Sequence, residues 1–394
     1  MKLPLWHLAT YIILSLLYFS CADDPSSVGV NLLEGDFVIV STFDTKDDSI
    51  FQTSSDYKNV VSLGLASNIL IGKRGDVEAS TLMRFVFAIN DSLKQDFLDG
   101  NIRVNEARII LSPTYIYTDS LAAFDFTVHN VTSGWTSTGF TSDSLSNLTY
   151  DPTDLSSNKN FTDTLYNFML DSSIVLSWIK HSIDSNLDSN NGIYYKPTMS
   201  SEKVVGFQAL TLTSTTAAKL NIVIEKPGSF IDTINGFIFE DVSAVEAGPL
   251  SLPEGDLAVQ SSVTYQSRLL FDVSDVDSAV VVNNAQLILA VDSLNTITGS
   301  SFNSNLSVYR ITDSSNATID PSFAVTLRKE GNSYSGDITP IVSTWLNSIR
   351  DNQGLVIRAQ SNTNGLELIA LKGSSSILQS DRPRLKVVFT RLEE

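Results

Sequence analysis

The feature that most restricts what this chain can become is a plan that occurs twice. Residues 173–195 read SIVLSWIKHSIDSNLDSNNGIYY, and residues 340–358 read PIVSTWLNSIRDNQGLVIR. In each, a short amphipathic turn bearing a tryptophan, Trp178 or Trp345, leads through a polar Asn/Gly loop into an apolar run. Ile174, Val175 and Trp178 share one helical face, as do Ile341, Val342 and Trp345, and such a face buries itself against the end of a sheet structure. The loop that follows carries the residue types that reverse a chain.

The match extends beyond the tryptophan segments, as a true repeat requires. STLMRFVF (80–87) corresponds to QSRLLFDV (266–273), placing Phe85 on Phe271. VNEARIIL (104–111) corresponds to VNNAQLIL (282–289), placing Ala107 on Ala285. GFQALTL (206–212) is set against GLELIAL (365–371), and KLNIVI (219–224) against RLKVVF (384–389). These colinear matches give two units, 36–226 and 227–394, joined near Pro227 and Gly228.

Between the matched positions the chain is made of short runs such as ARIILS, FDFTVHNV, AQLILAV, NLSVYRI, LNIVIE and RLKVVF, separated by Ser, Asn, Asp and Gly. Their length and their content of Val, Ile, Phe and Leu are those of strands. Helical periodicity is confined to the two tryptophan segments and SLKQDFLD. The expected fold class is all-β, as two tandem jelly-roll-like β-sandwich domains, each long enough for its own core.

The first twenty residues stand apart. Lys2 precedes an apolar run from Leu5 to Phe19 that is short for a membrane span and has the form of a signal peptide. Cys21, the only cysteine of the chain, follows Ser20 where a bacterial lipoprotein carries its acylated residue, and LLYFSC resembles a lipobox. Cleavage near Ala22 without lipid is the alternative; both export the protein. Residues 21–35 read as a polar tether, and the acidic Asp23 and Asp24 resemble the start of surface lipoproteins of the Bacteroidetes. The expected location is therefore the outer membrane and cell surface, with secretion as the alternative and the lipid as the only membrane contact.

No cysteine is left to form an internal disulfide, so stability must come from buried core. Only His129 and His181 remain after the leader, too few for a histidine-based metal site. The 26 lysines and arginines, of which Lys2 is in the leader, stand against 44 acidic side chains. That balance argues against nucleic acid or an anionic lipid surface as partner.

Three local patterns invite chemistry. In DSNLDSNNG (184–192), Asp184, Asn186, Asp188 and Asn190 alternate like the oxygen ligands of a calcium loop, although Ser189 and Tyr195 stand where such a loop carries Gly and a bidentate Glu. Structural calcium is thus the one cofactor considered, and no other is expected. Trp178 and Trp345, set in matching apolar faces, are expected in the core. Trp135, Tyr194 and Tyr195 lie in or beside loops of the first unit, and their rings suit stacking on a sugar. Neither histidine lies in a nucleophile-elbow pattern, and no phosphate-binding glycine loop occurs, so no enzyme is expected.

The order of elements resembles the DNRLRE domain, an extracellular β-sandwich allied to carbohydrate-binding modules. The second unit carries SRLLFDV, VNNAQLILAV, ITPIVSTWLNSIRDNQGLVIR and RPRLKVVFT; the first carries LMRFVF, VNEARIIL and VTSGWTSTGFTS. The resemblance implies a non-enzymatic surface protein for glycan binding or adhesion, its ligand a neutral polysaccharide or a surface protein. The alternative is a structural component that docks other proteins at the cell surface.

Overall fold

The computed structural model describes residues 38–47, 50–210, 217–276, 280–300, 305–361 and 363–392. The leader, Cys21 and the tether lie outside the described residues. The chain opens with β1 (Val38–Asp44), β2 (Gln52–Lys58), β3 (Asn68–Arg74), β4 (Val77–Phe87), helix α1 (Asp91–Leu98), β5 (Arg103–Leu111), β6 (Pro113–Tyr117) and β7 (Phe126–Asn130). It continues through β8 (Ser156–Phe161), β9 (Tyr166–Leu170), helix α2 (Ser172–Ile183), β10 (Ile193–Pro197), β11 (Val204–Gln208), β12 (Lys219–Lys226) and β13 (Phe230–Ala247). There follow β14 (Asp256–Gln260), β15 (Tyr265–Phe271), β16 (Val281–Ala290), β17 (Leu306–Asp313), β18 (Thr318–Glu330) and β19 (Ser333–Asp337). Helix α3 (Thr339–Leu346), β20 (Leu355–Ala359), β21 (Leu368–Lys372) and β22 (Arg384–Leu392) complete it.

The fold is all-β: two large antiparallel sheets, each curled around its own apolar core. One runs β6-β11-β3-β4-β13-β12-β5-β9-β8, with β10 joining β4 to β7. The other runs β1-β22-β16-β19-β18-β17-β20-β15-β14-β21, with β2 on β15. Alternation drives the curl, because inward residues such as Ala107, Ile109 and Leu111 on β5 are fully buried while their neighbours are not. Each large apolar side chain so buried contributes about 1.5–3 kcal/mol.

The two tryptophan segments are helices that plug the sheet ends, as their spacing requires. Asp171 caps α2 by accepting from the backbone N–H of Ser173 at 2.8 Å. Asp337 does the same for Thr339 at 2.9 Å ahead of α3, and Pro340 follows where a missing N–H costs nothing. Trp178 and Trp345 are 1 % and 6 % exposed, each in the core of its own sheet. Neither indole Nε1 has a partner, so both rings act through shape and apolar area.

One match needs correction. Gly206 lies inside β11, whereas Gly365 lies ahead of β21, so Gly206 does not fall on Gly365. The two strands still hold equivalent places, β11 paired with β3 and β21 with β14, so the match holds for the strands with its register displaced.

Strand pairing also cuts across chain order. Pro227 and Gly228 form the hairpin from β12 to β13, which stays in the same sheet and pairs with β4 as far as Ala247. The strands β1 and β2 pair instead with β22 and β15 of the other sheet. Between the two sheets Tyr115, Tyr117, Val204, Val245, Val263 and Leu366 form a further buried cluster. Leu366 N–H donates to the Tyr115 hydroxyl at 2.9 Å, and Ser67 N–H donates to Asn364 Oδ1 at 2.8 Å.

Candidate functional site

The first unit keeps an extra segment, residues 131–150, folded over the outer face of β4, β10 and β13. Val131 N–H donates to Gly192 O at 3.0 Å, and Thr132 N–H to Thr149 O at 2.9 Å, closing the segment on itself. Phe140, Tyr194, Leu82 and Val242 are buried beneath it, with Trp135 and Tyr150 packed at the side.

Two sequence candidates therefore meet here. Trp135 is half-buried, and its Nε1 donates to Asn191 O at 2.7 Å, which ties the indole to the Asn/Gly loop. The Arg84 guanidinium lies 5.5 Å from the Trp135 ring centre and 5.1 Å from that of Phe239. Arg84 also pairs with Glu240, and Glu240 accepts from Ser137 N–H at 2.5 Å and Thr136 Oγ1 at 3.1 Å. Burial pulls the Glu240 carboxyl upward, but those donors and Arg84 outweigh it and hold the group below the usual carboxylate range.

Beyond Arg84 the outer face is apolar and open. Phe237 and Phe239 alternate with the inward Ile238 on β13, and they are 57 % and 56 % exposed. Val86, directly opposite Phe237, is exposed as well. Phe237, Phe239 and Trp135 thus form an aromatic strip with an arginine between two of its rings, beside a shallow hollow of about 260 Å³ walled by Trp135, Phe140 and Leu148. Such a surface offers flat π-faces and an ion-pair rim, the combination that takes the apolar face and hydroxyl edge of a sugar. The reading of the sequence missed both phenylalanines, although the alternation in GFIFED was the signal for them.

The tyrosine candidates separate. They are consecutive on β10, so their rings point to opposite faces. Tyr194 lies under the covering segment, 5.1 Å from the ring of Tyr150. Tyr195 is fully buried in the core against Phe126 and Phe168, its hydroxyl directed at Met83 Sδ. It is closed to any surface ligand.

In the alternating loop, Asp184 Oδ1 accepts from both the backbone N–H and Nδ2 of Asn186, at 3.0 and 2.9 Å. Asn190 turns into the fold, donating from Nδ2 to Phe85 O at 2.7 Å and accepting Gly192 N–H at 3.0 Å. Asp188 is exposed. Three of the four side chains are thus engaged in closing the loop, and Asn352 repeats the Asn190 contacts on Phe271 O and Gly354 N–H. No group of three or more His, Cys, Asp or Glu side chains converges as a metal site among the described residues.

His129 is buried with both ring nitrogens engaged. Nδ1 faces the carbonyls of Asp151 and Thr153 at 3.1 Å, so it carries a proton, and Nε2 lies in hydrogen-bond contact with Thr127 Oγ1 at 2.7 Å. Next to Glu240, burial pushes the Asp241 carboxyl up to about 6, against the Leu210 N–H that it accepts. A carboxyl raised in the folded state stabilises fully below its ordinary range, and the contribution is lost as pH rises through about 6. Asp241→Asn is expected to flatten that loss, raising the urea midpoint at about pH 7.5 relative to about pH 5 by the equivalent of about 1–1.5 kcal/mol.

No protein-family model, curated protein or solved structure matches the chain.

Proposed function

We propose that the chain is an exported, lipid-anchored cell-surface protein of two tandem jelly-roll-like sandwiches, similar to DNRLRE modules, that binds a neutral glycan without acting on it chemically. The observation that carries this reading is the pair of exposed rings Phe237 and Phe239 on the outer sheet face, with half-buried Trp135 on the other side of Arg84. Three supports accompany it. The strip draws on β13 and the segment 131–150, neither of which is among the matched positions of the repeat. The strong acidic excess repels polyanions at long range. His129, the buried histidine, spends its ring on backbone and threonine oxygens rather than on a nucleophile.

A survey of the mature protein on a glycan array, run beside a pull-down from whole cells, tests the reading. Retention of neutral oligosaccharides, little changed by added salt, is the expected result. A specific protein partner with no glycan retained would replace it by the docking alternative. For the anchor, Cys21→Ala is expected to move the protein from the membrane fraction to the soluble one with its melting temperature unchanged; continued membrane association would refute lipidation.

A further inference from the structure

We propose that β1 and β2 are an exchangeable arm, and that the partner they fit is a second copy of this chain. In the first sheet β13 bridges two strands, with Ile234 opposite Ile222 of β12 and Ile238 opposite Phe85 of β4. In the second, β1 and β2 make the same bridge, with Phe43 opposite Val387 of β22 and Gln52 opposite Phe271 of β15. The repeat places Ile222 on Val387 and Phe85 on Phe271, and the pairings of Ala107 with Ile222 and of Ala285 with Val387 confirm that register. The arm and β13 therefore occupy equivalent seats and run in the same direction.

They also hold equivalent places in the sequence. The arm precedes β3 across residues 59–67, and β13 precedes β14 across residues 248–255. Each repeat begins with a strand that it gives to the other repeat, which is domain swapping carried out inside one chain.

What holds the arm belongs to the seat and not to the connection. Arg384 Nε and Nη2 donate to Asp44 at 2.8 and 2.5 Å, and Leu385 N–H donates to Thr45 Oγ1 at 2.8 Å. Tyr57 donates to Gln266 Oε1 at 2.9 Å, with the Arg268 guanidinium 4.5 Å from its ring centre. An arm from another copy satisfies every one of these contacts equally. Of the two exchanged elements, β13 is fixed at one end by the hairpin from β12 and at the other by the crossing into β14, whereas the arm has one described connection to its own repeat, through residues 59–67. Residues 59–67 are the hinge, and exchange between copies is then governed by concentration, as for any swapped pair.

The test uses the full mature chain with Cys21→Ala in every version. Val40 and Thr390 are directly opposite on β1 and β22, a separation that a disulfide spans. One version carries Val40→Cys, a second Thr390→Cys, and a third both. The doubly substituted chain is expected to oxidise within the monomer when dilute. Mixed single variants, loosened in sub-denaturing urea, returned to buffer at high concentration and then oxidised, are expected to give a cross-linked dimer whose yield rises with concentration. If the mixture stays monomeric while the doubly substituted chain cross-links within itself, exchange between copies is overturned. If the doubly substituted chain also fails to cross-link, the arm does not occupy this seat and the proposal falls with it.

Discussion

Trp178→Ala is expected to destabilise the first sandwich by about 3–5 kcal/mol, the cost of removing a buried tryptophan and leaving its cavity. The ring sits on α2 beside Val175 and Ile179, fully enclosed by the first core. Trp178→Phe separates shape from hydrogen bonding. Because Nε1 has no partner, phenylalanine forfeits no bond, and the expected cost is only about 1–2 kcal/mol of lost volume. Trp345 on α3 is likewise buried in the second core without a partner for Nε1, but it walls a surface hollow beside Phe51, so its substitutions should follow the same order at a smaller cost. Urea unfolding of the four variants reads the result; a phenylalanine variant as unstable as the alanine one would show that the indole nitrogen has a role the structure does not give it.

Gly192→Ala is the second large effect, at about 3 kcal/mol or more from strain and overpacking together. Gly192 has φ of +78°, and an added Cβ would lie 2.2 Å from Met83 O and 2.8 Å from Arg84 Cα, both backbone atoms of β4. Gly354 repeats the arrangement, with φ of +94° and 2.5 Å to Leu269 O. Asn190 and Asn352 fix the same loops by bonding the carbonyls of Phe85 and Phe271. A loop that needs left-handed backbone and close approach at one residue accepts glycine there and little else. Thermal melts of Gly192→Ala and Gly354→Ala should both fall well below the parent, whereas Gly75→Ala, where the added Cβ meets nothing, should lose only the φ penalty.

These two devices explain why the repeat was legible. Tryptophan, asparagine and glycine recur because each performs one local task, and local tasks leave local spacing in a sequence. Strand identity was legible for the same reason: Ala107, Ile109 and Leu111 alternate because one face of β5 is buried. The exchanged arm was not legible, since VIVSTFD reads as a strand whichever sheet receives it, and its partner β22 is far along the chain. Tyr194 and Tyr195 show the same limit at the site. Adjacent strand residues must face opposite ways, but which one faces the core depends on neighbours brought from β4, β7 and the segment 131–150.

The aromatic strip is the claim on which the functional account stands, and calorimetric titration of a neutral oligosaccharide into the full mature chain and its Phe237→Ala/Phe239→Ala variant tests it most directly. Both rings are exposed, so the variant should keep its unfolding midpoint. Stacking on each ring is worth about 0.5–1.5 kcal/mol, and losing both should weaken binding roughly tenfold or more with little dependence on salt. Unchanged affinity in the variant, or affinity that falls steeply with added salt in the parent, would contradict the account and move the binding site to a basic surface elsewhere on the molecule.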